Sequence, residues 1–206
     1  MSLASSEPPE PPTVEPHDRF GSTQGNEILT STSGMVLLGL LVAEGVTIVD
    51  IGGLAGVHMF IGLALIPPVL LKLAATGYRA WRYYTGSRTY RAIGPPRLPL
   101  RLIAPLFVAL MFTVLVTGVL LMAQGNKAGM LLEIHKVSFI VWVVLFGVHV
   151  LAYILRALRL TLGDWHLTPS RAVPGTGARN LLVLGALGGG VALAVALIPT
   201  IDGWHP

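Results

Sequence analysis

The chain contains no cysteine and few charged residues. Without a thiol it can form no disulfide, no thiolate metal site and no cysteine-ligated iron–sulfur cluster. Charged residues make up 12% of the 206 residues, whereas soluble globular domains carry about 25%. Phosphate-binding glycine loops and nucleophile–base motifs are also missing, so an independent hydrolase is not expected. The remaining composition, with 53% apolar residues and a mean hydropathy of +0.71, indicates a membrane protein.

Five apolar stretches are long enough to cross a bilayer, and they predict an all-α integral membrane helical bundle. The expected spans are residues 34–51, 54–76, 102–124, 131–155 and 181–201. Residues 1–33 are rich in Pro, Glu and Ser and are expected to form a disordered cytoplasmic tail, with a short external tail at 202–206. Pro67 and Pro68 should kink the second span, so a neighbouring helix must satisfy the carbonyls they free. Three glycines at 188–190 favour close helix contact in the fifth span.

The arginines predict the orientation of the bundle. The loop after the second span carries Arg79, Arg82, Arg88, Arg91, Arg97 and Arg101, and the loop after the fourth carries Arg156, Arg159, Arg171 and Arg179. Such loops stay on the cytoplasmic side, which places the N-terminus inside and the C-terminus outside. The net charge of +4 is therefore explained by topology, and nucleic acid is not an expected partner.

Histidines within the spans are the candidate ligands. His135 and His149 are fourteen residues apart, which in a helix is a rise of about 21 Å and a return to within roughly 40° of the same face. His58 lies near the start of the second span, which runs in the same direction, and so matches the depth of His135. Two neutral imidazoles from two helices are the ligands of a bis-histidine haem. We therefore predict a haem between His58 and His135, with Gly62 allowing the macrocycle to approach the backbone.

The depth of His149 is matched by no second histidine. The residue of the second span at that level is about Lys72, and Met35 of the first span also reaches it. A His/Met haem using Met35 is chemically feasible, so a second haem depends on whether His149 has such a partner. A zinc or copper site is disfavoured at the outer pair, because neither a carboxylate nor a third histidine converges there.

Two acidic residues of the first span lie in the same region. Glu44 is near the middle of the span and Asp50 is at its end, and either could relay protons to a redox centre. In the alternative interpretation, Asp50 caps the start of the next segment and Glu44 bonds a neighbouring helix or pairs with a cation.

The stretch Gly-Val-His-Met-Phe-Ile-Gly at 56–62, followed two spans later by histidines 135 and 149, resembles the bacterial cytochrome b561-like membrane cytochromes, part of a broader cytochrome b/b6-like set. The segment 65–86 is similar to a subgroup common in high-GC Gram-positive bacteria. The resemblance covers about residues 35–156. It implies a four-helix cytochrome b-like core with two b haems, to which this chain adds a fifth C-terminal transmembrane helix.

In that family, the positions of His58 and His135 hold the outer haem. The position of His149 holds the second, together with a histidine near the start of the first helix. In this sequence Met35 or Val36 occupies that region. The resemblance therefore implies one haem b in the outer leaflet and leaves the inner one dependent on a different ligand.

These features predict a membrane b-type cytochrome of the bacterial plasma membrane that carries single electrons. It would serve as a subunit or partner of a respiratory or extracytoplasmic oxidoreductase, exchanging electrons with a quinone or a redox protein. One alternative is a haem-free membrane anchor or assembly subunit, which the missing first-span histidine favours. Another is a small transporter built on Glu44, Asp50, Lys72 and His149, although no internal repeat supports it.

Overall fold

A computed structural model describes residues 23–94, 98–124, 129–166 and 173–203. All regular structure within these ranges is helical, and none of it is strand. The helices are α1 (Thr23–Val49), α2 (Ile51–Tyr84), α3 (Arg88–Ile93), α4 (Leu98–Gln124), α5 (Gly129–His166), α6 (Thr176–Ala196) and α7 (Ile198–Asp202). The predicted all-α class is confirmed.

Five of these helices (α1, α2, α4, α5 and α6) are long and apolar enough to cross a membrane. Their outward faces carry large apolar side chains; Leu102, Leu151 and Leu181 are each more than 70% exposed. Such surface is unfavourable in water and well matched to acyl chains, and helices satisfy their own backbone polar groups as a bilayer requires. The prediction of a multi-pass membrane protein in contact with lipid agrees with this architecture.

The N-terminal boundary of the first span differs from the prediction. α1 begins at Thr23, so residues 23–33 are helical and not part of a disordered tail, while 1–22 lie outside the described residues. Polar residues of this extra segment find partners on other helices. Asn26 Nδ2 donates to the Ala75 carbonyl at 3.1 Å, and Glu27 pairs with Arg156. Composition alone could not predict these tertiary contacts, which offset the cost of ordering the segment.

Other helix ends also lie beyond or short of the predicted spans. α2 continues to Tyr84 and α5 to His166, well past the apolar stretches, and the short helix α3 lies in the loop that follows α2. The fifth predicted span is divided, because α6 ends at Ala196 and α7 begins at Ile198. Proline at the second position of α7 has no N–H for a continuing helical bond, which explains the break.

Four helices form a ring in the order α1, α2, α4, α5, in which each helix packs against the next and α5 closes on α1. α6 lies outside the ring and packs against α2 and α1. The short helix α7 packs against α2, α4 and α6. In a ring of this order α2 and α5 lie on opposite corners. Side chains from these two helices can therefore approach each other through the middle of the ring.

The two ends of the bundle are chemically distinct. One, here the Asp50 end, contains the α1–α2 turn, the end of α4 and the start of α5. The other, here the arginine end, carries Arg79, Arg82, Arg88, Arg91, Arg156 and Arg159. Asp50 caps α2 by accepting a hydrogen bond from Gly53 N at 3.2 Å.

The proline pair in α2 is covered by α6. Pro68 has no N–H to donate to the carbonyl of Ala64, four residues earlier. Gly190 of α6 lies directly against that oxygen, so close that a Cβ at this position would overlap it. The Cα–H that takes the place of a side chain therefore points at the freed carbonyl, a weak but favourable contact in an apolar setting. Of the predicted glycine stretch, Gly190 makes the close approach, whereas Gly188 and Gly189 face open space.

This contact gives a prediction for a matched pair of variants. Gly190→Ala should lower the stability of the bundle by about 1–3 kcal/mol, the usual cost of overpacking, because α6 must move away from α2. Gly189→Ala should be neutral or stabilising by up to roughly 1 kcal/mol, since alanine is the better helix residue and meets no neighbour. Denaturant titration in detergent, followed by circular dichroism, compares the two. Equal midpoints would refute the packing argument.

Candidate functional site

His58 lies on α2 about 10 Å from the start of that helix, measured along its axis. Its Nδ1 is 2.8 Å from the Thr47 hydroxyl and 3.2 Å from Glu44 Oε1. Glu44 and Thr47 are three residues apart on α1, so they share the helix face that meets α2. The imidazole is 24% exposed and the Glu44 side chain 13%, which places the contact inside the bundle.

His135 has a closely similar environment on α5. It lies about 9 Å from the start of that helix, hence at the same distance from the Asp50 end as His58. Its Nδ1 is 2.9 Å from the Thr117 hydroxyl of α4. Gly118 lies beside the ring, and a Cβ there would be 3.3 Å from His135 Cε1. The absence of a side chain at Gly118 therefore lets the imidazole lie close to α4.

The threonine hydroxyls determine which ring nitrogen carries the proton. Thr47 Oγ1 donates to the Glu44 carbonyl at 2.6 Å, and Thr117 Oγ1 donates to the Thr113 carbonyl at 2.6 Å. A hydroxyl has one proton, so with that proton on the backbone carbonyl each oxygen accepts from the facing imidazole. This hydrogen-bond pattern favours the Nδ1–H tautomer of both histidines, in which Nε2 carries the lone pair. This is how metal-ligating histidines are usually oriented.

The two imidazoles belong to α2 and α5, on opposite corners of the ring, and His135 acts electrostatically on His58. The hydrogen bonds to the threonines and to Glu44 engage Nδ1 of each ring, and His135 also interacts with the Val114 carbonyl of α4. The arrangement supplies two neutral nitrogen donors at one depth, and the other nitrogen of each ring is hydrogen-bonded to a threonine hydroxyl.

The other predicted residues near the Asp50 end are Gly62, Glu44 and Asp50, and each makes a contact within the protein. Gly62 lies opposite Glu44, where a Cβ would be 3.3 Å from Oε1, so the glycine makes room for that carboxyl group. Glu44 bonds His58 on the neighbouring helix, as the alternative interpretation of this residue expected. The expectation that no carboxylate converges on the outer pair is therefore wrong for His58. Its Oε2 is buried with no hydrogen-bond partner among the described residues. Asp50 is exposed and serves as the cap of α2.

Nearer the arginine end, His149 of α5 lies within electrostatic range of Lys72 of α2. Lys72 Nζ donates to the Thr30 carbonyl of α1 at 2.6 Å and lies over Gly34, where a Cβ would be 2.7 Å away. Met35 is half-buried on α1, and no described interaction joins it to His149. Lys72 thus acts electrostatically on His149, while its amine is hydrogen-bonded to α1.

Stacked aromatic rings lie between the two levels. Trp142 stacks on Phe107 of α4 at 5.6 Å and on Phe146 at 4.9 Å, and Phe107 in turn stacks on His149 at 5.5 Å. Trp142 is seven residues from each α5 histidine, on the same helix face. Its Nε1–H is buried without a hydrogen-bond partner among the described residues.

No family model, no curated protein and no solved structure matches this chain. Within the described ranges, no three His, Cys, Asp or Glu side chains converge as a metal site. The paired nitrogen donors are therefore the feature from which a function can be argued. Two nitrogens suit a metal that already has four equatorial ligands, as iron has in a porphyrin.

Thr47, Thr117 and Gly118 are site residues that the sequence reasoning did not identify. Thr47 could have been identified from the sequence, because it lies three residues after Glu44, which was already a candidate. Thr117 and Gly118 belong to a uniformly apolar span, and their relation to His135 depends on how α4 and α5 are rotated against each other. That rotation is a property of the packing.

Proposed function

We propose that the chain is a membrane-embedded b-type cytochrome whose haem is held by His58 and His135. The observation that carries the proposal is the matched environment of the two histidines. Each has Nδ1 within hydrogen-bond distance of a threonine hydroxyl on an adjacent helix, at the same depth in one ring of helices, and this pattern favours a lone pair on each Nε2. Such an outer shell fixes the ligand orientation and raises its basicity.

A haem bound at these residues would accept and release one electron. The chain's own contribution is to hold the two imidazoles at a fixed separation, to exclude water and to surround the site with apolar side chains that tune its potential. The resemblance to cytochrome b561-like proteins supports the same proposal. A quinone or a redox protein at the Asp50 end is the proposed electron partner, because the site lies only about 10 Å from that end.

We further propose a bacterial plasma membrane location with the arginine end in the cytoplasm. The chain has no cysteine, so single engineered thiols report topology without background. Gly52→Cys, exposed at the Asp50 end, should react with a membrane-impermeant maleimide on intact cells. Thr89→Cys, exposed on α3, should react only after lysis. The opposite labelling pattern would reverse the proposed orientation.

The deciding experiment is the visible spectrum of the purified chain after expression with ample haem. We expect a Soret band, a sharp α-band on reduction with dithionite, and at least one haem per chain by the pyridine haemochrome assay. Such a spectrum is typical of six-coordinate low-spin b-type haem. A folded, monodisperse preparation without a Soret band would disprove the proposal and favour the haem-free anchor.

A further inference from the structure

The spacing between the two candidate histidines of α5 is repeated on α2. His135 and His149 are fourteen residues apart, and so are His58 and Lys72. Both helices run from the Asp50 end towards the arginine end. Each step of fourteen residues descends about 21 Å and returns to nearly the same face. The two helices that carry His58 and His135 at one level therefore carry Lys72 and His149 at a second level, about 21 Å further along.

The electrostatics agree with this geometric argument, because Lys72 acts on His149 as His135 acts on His58. Within the described ranges no hydrogen bond joins the members of either pair. Neither nitrogen of His149 has a hydrogen bond within the described ranges, and its ring is held by Phe107 and by Tyr153 at 5.0 Å. Lys72 reaches into the bundle from α2 and is held by the Thr30 carbonyl. A buried polar group is costly unless it has a partner or a function.

We propose that Lys72 and His149 form a second haem-binding pair, with the Lys72 amine and a His149 nitrogen as the two axial donors. This inference rests on the proposed function, because it assumes that the chain binds haem. A neutral primary amine is a nitrogen donor comparable in kind to imidazole, and its flexible four-carbon stem can turn from the Thr30 carbonyl towards the middle of the ring. In its ligating form the amine would have lost its proton.

Two further features lie near this level. Gly34 has no side chain, and the Lys72 amine occupies the space that a side chain there would fill. Trp142 and Phe107 lie between the two pairs, so aromatic rings separate the two levels, and the orphaned Trp142 N–H is aimed at no described acceptor. Two haems about 21 Å apart along the helix axis would span most of the distance between the two ends of the bundle. A single haem would not.

The test compares haem content and electron paramagnetic resonance of the oxidised protein. The wild-type chain should contain two haems and give two low-spin signals. Lys72→Ala should reduce haem content from two to one per chain and abolish one low-spin signal. Lys72→His, which keeps a nitrogen donor, should retain two haems and shift that signal towards the bis-histidine type. Lys136→Ala removes an exposed lysine paired with Glu133 on α5 and should change neither quantity.

The outcomes separate this inference from the proposed function. One haem in the wild-type chain, unaffected by Lys72→Ala but lost in His58→Ala, would overturn the lysine pair and leave the bis-histidine site standing. Two haems with an unchanged spectrum in Lys72→Ala would exclude Lys72 as a ligand. If Lys72→Ala fails to fold, the spectrum of Lys72→His decides, since an unshifted second signal would equally exclude Lys72. A haem-free chain would disprove both proposals.

Discussion

His58→Ala should reduce the haem content of the purified chain by one haem per chain, and His135→Ala should do the same. If the two imidazoles hold the haem as proposed, removing either one deletes one of its two protein ligands. It also leaves oxygens without a donor, at Thr47 and Glu44 in the first variant and at Thr117 in the second. Unpaired buried polar groups cost about 1–3 kcal/mol each, so the vacated site is further disfavoured. The pyridine haemochrome assay measures the loss.

The control removes a histidine that the sequence places beyond the last span. His205→Ala should retain the haem content and spectrum of the wild-type chain. His149→Ala should leave the His58–His135 signal intact. If His58→Ala keeps the full haem content and an unchanged low-spin spectrum, His58 is not a ligand, whatever its structural role.

Chemical rescue distinguishes a ligand from a packing residue. His58→Gly leaves a cavity into which free imidazole can enter and supply the missing nitrogen. Added imidazole should restore the low-spin absorption bands of His58→Gly, whereas a histidine needed only for packing would give no such response. The same imidazole concentration should leave the wild-type spectrum unchanged, because both positions are already filled.

Thr117→Val is expected to weaken haem binding at the same site by about 10–100-fold, the range typical of lost outer-shell partners of metal ligands. Valine has nearly the shape of threonine, so the packing between α4 and α5 is retained. His135 Nδ1–H then loses its acceptor, the ring can rotate, and the alternative tautomer no longer costs a hydrogen bond. Haem titration of the haem-depleted chain, or the rate of haem transfer to an excess acceptor, gives the affinity.

Thr113→Val is the matched control, because it makes the same substitution one turn away on the same helix. The Thr113 hydroxyl donates to the Ala109 carbonyl on an exposed face and touches neither histidine. We expect wild-type affinity for Thr113→Val. Thr117→Ser, which keeps the hydroxyl, should recover most of the loss. Equal affinities for the two valine variants would remove Thr117 from the site.

The helical class and the number of membrane spans follow from the sequence, because each depends on properties local to one stretch. A run of about twenty apolar residues determines its own helix in lipid, where no other backbone arrangement satisfies its polar groups. The shared depth of His58 and His135 also follows, since it needs only the helix rise and the direction of two spans. The lateral position of each helix in the bundle, and its rotation about its own axis, do not follow from residue counts along one helix.

Residues whose roles depend on a neighbouring helix were therefore misjudged or missed. Residues 23–33 appeared disordered by composition, yet Asn26 and Glu27 have partners on α2 and α5. The proximity of Gly62 to Glu44 was not foreseen, because it depends on how α1 packs against α2. The proline pair did predict a freed carbonyl, but only the packing of α6 reveals that Gly190 covers it.

The sequence by itself determined five apolar helices and histidines at two depths. It also contained the repeated fourteen-residue spacing of α2 and α5, since spacing along one helix is a property of covalent geometry. Only the tertiary structure decided that these two helices occupy opposite corners of one ring, that Thr47 and Thr117 bond the imidazoles, and that the Lys72 amine bonds the Thr30 carbonyl of α1. Those relations depend on how whole helices rotate and pack, and that is determined by the many small contacts of every helix at once.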